Sequence, residues 1–240
     1  DVLAEVIHSP YFWLVLLLVG PLVIRQIAIS IVIGFVNKSI AATTVDRPHV
    51  LNEGKEKRVL IVGDSTAFGA GASRVDETLA GRFAHDFPNV EVTNYAVNGS
   101  LTRDVVSQLK RADGKKFNLV LISTGGNDVW RFTNLRKVRE YLCKAITHAQ
   151  EISDGKTILL IYNYVALGPA FPFFLRGMIR ERGKIIDSMF LNVAQQFGIE
   201  AVEVFSRDRQ FSLSRNSYKY FAPDGIHPNS EGYRVWYARL

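Results

Sequence analysis

Short apolar runs alternate with segments of helical spacing from residue 58 to residue 240. Runs rich in β-branched and aliphatic side chains predict strands at Val59–Val62, Val90–Tyr95, Leu119–Ser123, Thr157–Tyr162 and Ile199–Val204. Three-and-four spacing predicts helices at Glu77–Asp86, Thr102–Lys110, Asn134–Ser153, Gly183–Phe197 and Ser230–Arg239. Strands that alternate with helices favour right-handed crossovers and a parallel sheet. We therefore predict one α/β domain over residues 58–240.

A more apolar pattern precedes this domain. Residues 11–24 carry no charge and begin with three aromatic side chains, Arg25 interrupts the run, and residues 27–36 are apolar again. A membrane span needs about 20 apolar residues, so residues 11–36 are long enough although Arg25 lies near their middle. Two arrangements fit: a tilted span containing Arg25, or a shorter span followed by an interfacial helix over residues 27–36. The pattern predicts a membrane anchor at residues 1–36.

Residues 37–57 are polar and predict a linker between the anchor and the α/β domain. A cleaved signal peptide is the main alternative, with Ser39–Ala42 as a small-residue cleavage site, although no basic stretch precedes the apolar run. Basic residues follow the apolar segment and acidic residues precede it, a bias that favours the cytoplasmic face for the α/β domain. We expect a membrane-anchored protein on this basis.

Composition narrows the possible partners only slightly. The chain of 240 residues has 29 basic and 23 acidic residues, a net charge of +6 that suits an anionic surface. The basic residues are mostly scattered and form no aromatic-basic stacking motif, so we expect no nucleic-acid partner. Cys143 is the single cysteine, which excludes an internal disulfide and a multi-cysteine metal site.

Small polar signatures follow three of the predicted strands, and a fourth precedes the last predicted helix. They are Gly63-Asp64-Ser65, Asn98-Gly99-Ser100, Gly125-Gly126-Asn127-Asp128 and Asp224-Gly225-Ile226-His227. In an open α/β sheet the carboxyl ends of the strands meet at one edge, which is where ligands bind. Each signature alone also fits an ordinary turn or helix cap.

Together these signatures contain the groups that acyl transfer from an ester requires. Ser65 is a nucleophile, His227 can take its proton, and Asp224 can orient the imidazole. Gly99 lets a backbone N–H point into the site, and Asn127 has a side-chain amide donor. The backbone N–H of Ser65 would be a third donor to the oxyanion, at the start of the following helix.

The four signatures, in this order, resemble those of the SGNH hydrolases, also called GDSL esterases and lipases, over roughly residues 58–240. The resemblance implies a flavodoxin-like three-layer α/β/α sandwich with a five-stranded parallel sheet. It implies a catalytic triad of Ser65, Asp224 and His227. It also implies an oxyanion hole formed by Ser65, Gly99 and Asn127. No metal and no organic cofactor is implied. Thr66 stands where the family's name-giving motif has leucine. This position is not a catalytic one, so we expect the substitution to change the shape of the pocket and not the chemistry.

An apolar stretch from Tyr164 to Leu175 follows the fourth predicted strand and suggests a wall for the acyl chain, with Phe171, Phe173 and Phe174 as substrate-binding residues. Core packing is the alternative for this stretch. We expect a serine ester hydrolase that forms an acyl-serine intermediate from a lipid, lysophospholipid or (thio)ester near a membrane. A carbohydrate O-acetylesterase and an acyltransferase would use the same residues, and a catalytically silent binding module is the alternative of another class.

Overall fold

The computed structural model describes residues 9–14, 17–21, 24, 27, 31, 34, 49–161, 168–171, 173–204 and 219–240. The chain divides into two compact units, residues 1–38 and residues 39–240. In the first unit, the described residues from 10 to 34 are helical, and several of their apolar side chains are exposed. Among the residues described, no helix combines the length and hydropathy that crossing a membrane requires. Much of the predicted anchor and linker, including residues 1–8 and 35–48, lies outside the described residues.

The second unit is built on a mixed sheet of six strands. These are β1 (Val50–Leu51), β2 (Lys57–Gly63), β3 (Val90–Asn94), β4 (Phe117–Ser123), β5 (Ser153–Ile161) and β6 (Glu200–Glu203). Their order is β1-β3-β2-β4-β5-β6, and all neighbours are parallel except β1 and β3. The five parallel strands alone follow the flavodoxin-like order 2-1-3-4-5, as predicted. The prediction of a wholly parallel sheet is wrong only at β1, which is antiparallel.

Seven helices have bounds in the described part of this unit. They are α1 (Ser65–Phe68), α2 (Leu79–Asp86), α3 (Thr102–Lys110), α4 (Gly126–Trp130), α5 (Leu135–Ile152), α6 (Phe173–Phe197) and α7 (Ser230–Tyr237), with a 3₁₀ turn at Val75–Glu77. The sequence pattern misses α1 and α4, which are too short to show a helical period. It also starts α6 at Gly183, ten residues late, because Gly183 and Gly177 interrupt the pattern. Neither glycine is in tight contact with a neighbouring group.

Helices cover both faces of the sheet. Side chains alternate along a strand, so Val59 and Ile61 of β2 share one face, where they join a cluster that includes Tyr233 and Trp236 of α7. Leu60 and Val62 face the opposite side and are fully buried, in the layer where α3 and α5 pack against the sheet. This three-layer arrangement leaves the carboxyl ends of β2 and β4 adjacent, on either side of the point where the strand order reverses.

Candidate active site

Ser65 stands at the carboxyl end of β2, as the first residue of α1. Gly63 directs the chain there, because it adopts a φ of +147° and a Cβ at this position would lie 1.8 Å from the carbonyl oxygen of Ser123. Asp64 caps α1 by accepting a hydrogen bond from the Thr66 N–H at 3.0 Å. Ser65 is 5% exposed, so its hydroxyl lies in a largely desolvated environment.

The loop before α7 brings a base and a carboxylate to Ser65. His227 Nε2 lies 2.8 Å from Ser65 Oγ, and His227 Nδ1 lies 2.6 Å from Asp224 Oδ2. The other carboxylate oxygen of Asp224 accepts the backbone N–H groups of Ile226 and His227 at 2.8 and 2.9 Å. The Asp224 carboxylate therefore fixes both the loop and the imidazole ring, and the Nε2 atom of that ring faces the serine hydroxyl.

Electrostatics hold the Asp224 carboxylate in its ionised form. Burial by itself would raise the pKa of Asp224, but the hydrogen bond and charge of His227 and the two backbone N–H groups outweigh it and lower that pKa to about 2. The carboxylate accordingly accepts a hydrogen bond from Nδ1–H of the imidazole, which fixes the orientation of the ring. The predicted nucleophile, base and orienting acid thus lie in one hydrogen-bonded chain.

The two other predicted residues are Gly99, in the loop after β3, and Asn127, in the first turn of α4. Gly99 adopts a φ of +77°, which favours glycine, and no described residue accepts a hydrogen bond from its N–H. Asn127 Oδ1 accepts from the Trp130 indole at 3.0 Å, and Nδ2 donates to the Ser100 carbonyl at 2.9 Å. Because the indole only donates and the carbonyl only accepts, the orientation of the Asn127 amide is fixed, and its second N–H remains for a substrate oxygen.

Comparisons with known proteins agree with this geometry. A sequence model of the GDSL-like lipase/acylhydrolase family matches residues 61–235 of the chain. This match spans most of the α/β unit and includes the serine, glycine, asparagine, aspartate and histidine described above. The chain belongs to the GDSL-like lipase/acylhydrolase family. Comparison with curated proteins finds no match.

Solved structures with a similar fold include a lipolytic protein, an esterase and a phospholipase. A member of the lipolytic protein G-D-S-L family from Veillonella parvula is 17% identical, with a TM-score of 0.63 over 76% of this chain and 95% of that one. An acetyl xylan esterase variant from Geobacillus stearothermophilus is 18% identical, with a TM-score of 0.59 over 79% and 94%. Phospholipase A1 from Streptomyces albidoflavus is 16% identical, with a TM-score of 0.60 over 77% and 99%.

Thr66 is the position at which this GDSL-family chain departs from leucine. Its hydroxyl donates to Asp64 Oδ1 at 2.7 Å, and the side chain is buried. Burial raises the pKa of Asp64 to about 6, against the opposing effect of the two hydrogen bonds from Thr66 and the charge of His227. Thr66 therefore stabilises the turn that holds Ser65, through its two hydrogen bonds to Asp64.

Gln108 of α3 connects the nucleophile turn to the loop that carries Gly99. Its amide accepts the Gly63 N–H at 2.7 Å and donates to the Gly63 carbonyl at 2.9 Å and to Ser100 Oγ at 3.1 Å. The Gly63 carbonyl also accepts the Val97 N–H at 3.2 Å, whereas the Gly63 N–H has the Gln108 side chain as its partner. Sequence analysis missed Gln108, although a polar residue between the buried Val105 and Leu109 was a usable signal.

Two contacts join the histidine loop and α7 to the nucleophile helix. Gly71 adopts a φ of +88°, and a Cβ there would lie 2.4 Å from the carbonyl oxygen of Pro228. The hydroxyl of Tyr233 donates to the carbonyls of Thr66 and Ala70 at 3.2 and 2.8 Å. The position of the histidine therefore depends on close packing between α1, the residues after it and α7.

The residues suggested as an acyl-binding wall are only partly described. Phe171 is 1% exposed and lies in a turn whose Ala170 N–H donates to the Gly225 carbonyl at 3.2 Å. Arg176 holds the same turn through hydrogen bonds to the carbonyls of Phe171 and Pro169. The side chains of Phe173 and Phe174, at the start of α6, lie outside the described residues. Phe171 is therefore buried in a turn that is bonded to the histidine loop, and its contact with an acyl chain stays a prediction.

Proposed function

We propose that this GDSL-family hydrolase cleaves carboxylic esters through an acyl-Ser65 intermediate. The observation that carries the proposal is the chain of hydrogen bonds from Ser65 Oγ to His227 and from His227 to Asp224, at 2.8 and 2.6 Å. A serine alone is a weak nucleophile, and a buried base held by an ionised carboxylate is what activates it.

In the first step, Ser65 Oγ attacks the ester carbonyl carbon while His227 Nε2 takes the hydroxyl proton. The negative charge moves to the carbonyl oxygen, which the N–H groups of Ser65, Gly99 and Asn127 stabilise. The imidazolium, held by Asp224, then gives its proton to the leaving oxygen or sulfur. The alcohol or thiol departs, and the acyl group remains on Ser65.

In the second step, water replaces the alcohol. His227 takes a proton from the water as its oxygen attacks the acyl carbon, and the same N–H groups stabilise the second oxyanion. Collapse of this intermediate returns the proton to Ser65 Oγ and releases the carboxylic acid. An acceptor alcohol in place of water would give transfer of the acyl group by the same steps.

The substrate class we propose is a lipid, a lysophospholipid or a related (thio)ester taken from a membrane surface. Support comes from the apolar N-terminal residues 11–36, whose described members Tyr11, Leu17 and Ile24 are more than half exposed. Exposed apolar and aromatic side chains on a helix favour an interface with lipid. Flotation with phosphatidylcholine vesicles tests this association: the full chain should float, and a chain lacking residues 1–38 should not.

The experiment that tests the catalytic proposal compares wild type with Ser65→Ala on acetyl to palmitoyl esters, thioesters and lysophospholipids. Ser107→Ala is a matched control, because Ser107 is exposed on α3. We expect Ser65→Ala to lose hydrolysis and fluorophosphonate labelling while Ser107→Ala keeps both. Activity that survives in purified Ser65→Ala would overturn the mechanism, and a wild type that neither labels nor hydrolyses would favour a silent binding module.

A carbohydrate O-acetylesterase is the second candidate. It is favoured by the structural similarity to an acetyl xylan esterase, a protein of the same fold at 18% identity. The same ester panel separates the two candidates. Preference for acetyl esters over long acyl chains would favour the carbohydrate substrate, and the reverse preference would favour the lipid.

A further inference from the structure

Arg131 lies near two of the three residues that would stabilise the oxyanion, Gly99 and Asn127. It caps the end of α4, and its guanidinium carbon is 4.8 Å from the centre of the Trp130 ring, whose indole nitrogen holds Asn127. On its other side, Arg131 Nη2 would lie 3.7 Å from a Cβ at Gly99. The guanidinium thus lies between Gly99, in the loop after β3, and Trp130, in α4.

One edge of the Arg131 guanidinium has no acceptor. Its Nε is buried and makes no hydrogen bond, and among the described residues its guanidinium takes part in no ion pair. Arg74 and Arg234 use this same Nε/Nη2 edge to hold the carboxylates of Asp76 and Glu231 with two hydrogen bonds each. Among the described residues, no carboxylate engages the corresponding fork of Arg131 next to Gly99.

The neighbouring carboxylates are already engaged by other groups. Asp128 Oδ2 accepts the backbone N–H and the hydroxyl of Thr102, both at 2.8 Å. Asp104 accepts the Leu101 N–H and pairs with Arg103. Partial burial lowers the pKa of Arg131, an effect that Asp128 and Asp104 oppose from a distance, but a guanidinium stays protonated at any physiological pH. A half-buried cation without an anionic partner among the described residues gains most from an anion that arrives with a ligand.

Among the described residues, two other buried polar atoms without partners lie in loops at this edge of the sheet. They are Asn98 Oδ1, which is next to Gly99 in the chain, and Thr124 Oγ1, directly after β4. Such atoms are uncommon in folded proteins, and a bound ligand is one way to satisfy them. This second observation places the unfilled groups at the substrate-binding edge of the sheet.

We propose that Arg131 binds an anionic group of the substrate, a carboxylate or a phosphate, through its Nε/Nη2 edge beside the oxyanion hole. This inference rests on the proposed esterase function and specifies its substrate: an ester that carries a negative charge near the scissile bond. A neutral ester of the same size would be hydrolysed without this contact.

Two matched pairs of esters test the proposal and distinguish the two kinds of anion. Mono-p-nitrophenyl glutarate against p-nitrophenyl valerate tests a carboxylate on the acyl side. Lysophosphatidate against monoacylglycerol of the same chain tests a phosphate on the alcohol side. Wild type, Arg131→Gln and Arg131→Lys are compared, with Arg136→Gln as the control because it removes one exposed positive charge from α5.

We expect Arg131→Gln to lower kcat/KM by about 10- to 100-fold for the anionic member of at least one pair, mainly through a higher KM. The loss of hydrogen bonds to a charged group typically weakens binding by a factor of this size. The neutral member should change by less than about threefold, and Arg131→Lys should recover part of the loss. The pair that responds identifies the anion. Equal losses on charged and neutral esters would show a structural role and overturn the proposal, as would no loss on either.

Failure of the esterase function itself is visible separately. If wild type hydrolyses no ester of either pair, the proposed function fails, and binding then tests Arg131 alone. Titration calorimetry of Ser65→Ala with glutarate and with glycerol 3-phosphate should show binding that Ser65→Ala/Arg131→Gln lacks. Binding that does not depend on Arg131, or no binding of either anion, would overturn the anion site.

Discussion

Gln108→Met tests whether a buried side-chain amide supports the nucleophile turn. Methionine is close in length to glutamine but neither donates nor accepts strongly, so the variant removes three hydrogen bonds with little change in volume. The Gly63 N–H loses its partner and stays buried, which costs about 1–3 kcal/mol. The Gly63 carbonyl keeps the Val97 N–H at 3.2 Å, so its loss is smaller. We expect the free energy of unfolding to fall by about 2 to 4 kcal/mol.

Urea unfolding followed by tryptophan fluorescence measures this change, with Gln150→Met as the control because Gln150 is exposed on α5. Gln108 is bound to residues on both sides of the site, so kcat on p-nitrophenyl acetate should fall by about 10- to 100-fold while KM changes little. Gln108→Glu keeps an acceptor for the Gly63 N–H but introduces a buried carboxylate, and it should be at least as destabilised at neutral pH. A Gln108→Met variant within about 0.5 kcal/mol of wild type would refute the reasoning.

Three further variants test other parts of the site. Gly71→Ala should abolish most activity and lower stability by more than about 2 kcal/mol, because its φ is +88° and the new Cβ would approach the Pro228 carbonyl; unchanged kcat and urea midpoint would contradict this close contact. Tyr233→Phe should lower the free energy of unfolding by about 1–3 kcal/mol, because the Ala70 carbonyl loses its hydroxyl donor. Equal urea midpoints for the two proteins would count against that role. Burial raises the pKa of Asp64 to about 6, above the unfolded value of 3.8, so ionising this carboxyl disfavours the folded state. The free energy of unfolding should therefore increase as the pH falls from about 6 to 4. The stability difference between wild type and Asp64→Asn should therefore change by about 2 kcal/mol between pH 7 and pH 4, and a constant difference would show that Asp64 titrates normally.

Sequence was a good guide where chemistry and secondary structure share a short local pattern. The strands after which the site residues occur are apolar runs of β-branched residues, and parallel strands buried on both faces have this signature. Ser65, Asp224 and His227 were recognisable because their neighbours form turns with few alternatives. Their side chains lie in one hydrogen-bonded chain, as the motifs predicted, and their roles in catalysis stay predictions.

What sequence missed depends on contacts between distant segments. Strand β1 has two residues, Val50 and Leu51, and exists only because β3 offers an edge. Gln108 was recognisable only as a polar residue on an apolar helix face, because its partner Gly63 lies 45 positions earlier. Whether Arg131 can bind an anion likewise depends on the partners of the nearby carboxylates, because other groups already bind Asp104 and Asp128. No local pattern contains that information.

The distance along the chain between Ser65 and His227 also has a consequence for when activity begins. The two side chains in contact are 162 positions apart, and all six strands precede the histidine. At about 5–20 residues per second, a ribosome needs roughly 8 to 32 s to pass from the serine to the histidine. Throughout that interval the nascent chain carries Ser65 without the histidine that contacts it in the folded protein. If the two residues act as proposed, hydrolysis of esters begins only after translation has passed residue 227 and that last loop has docked.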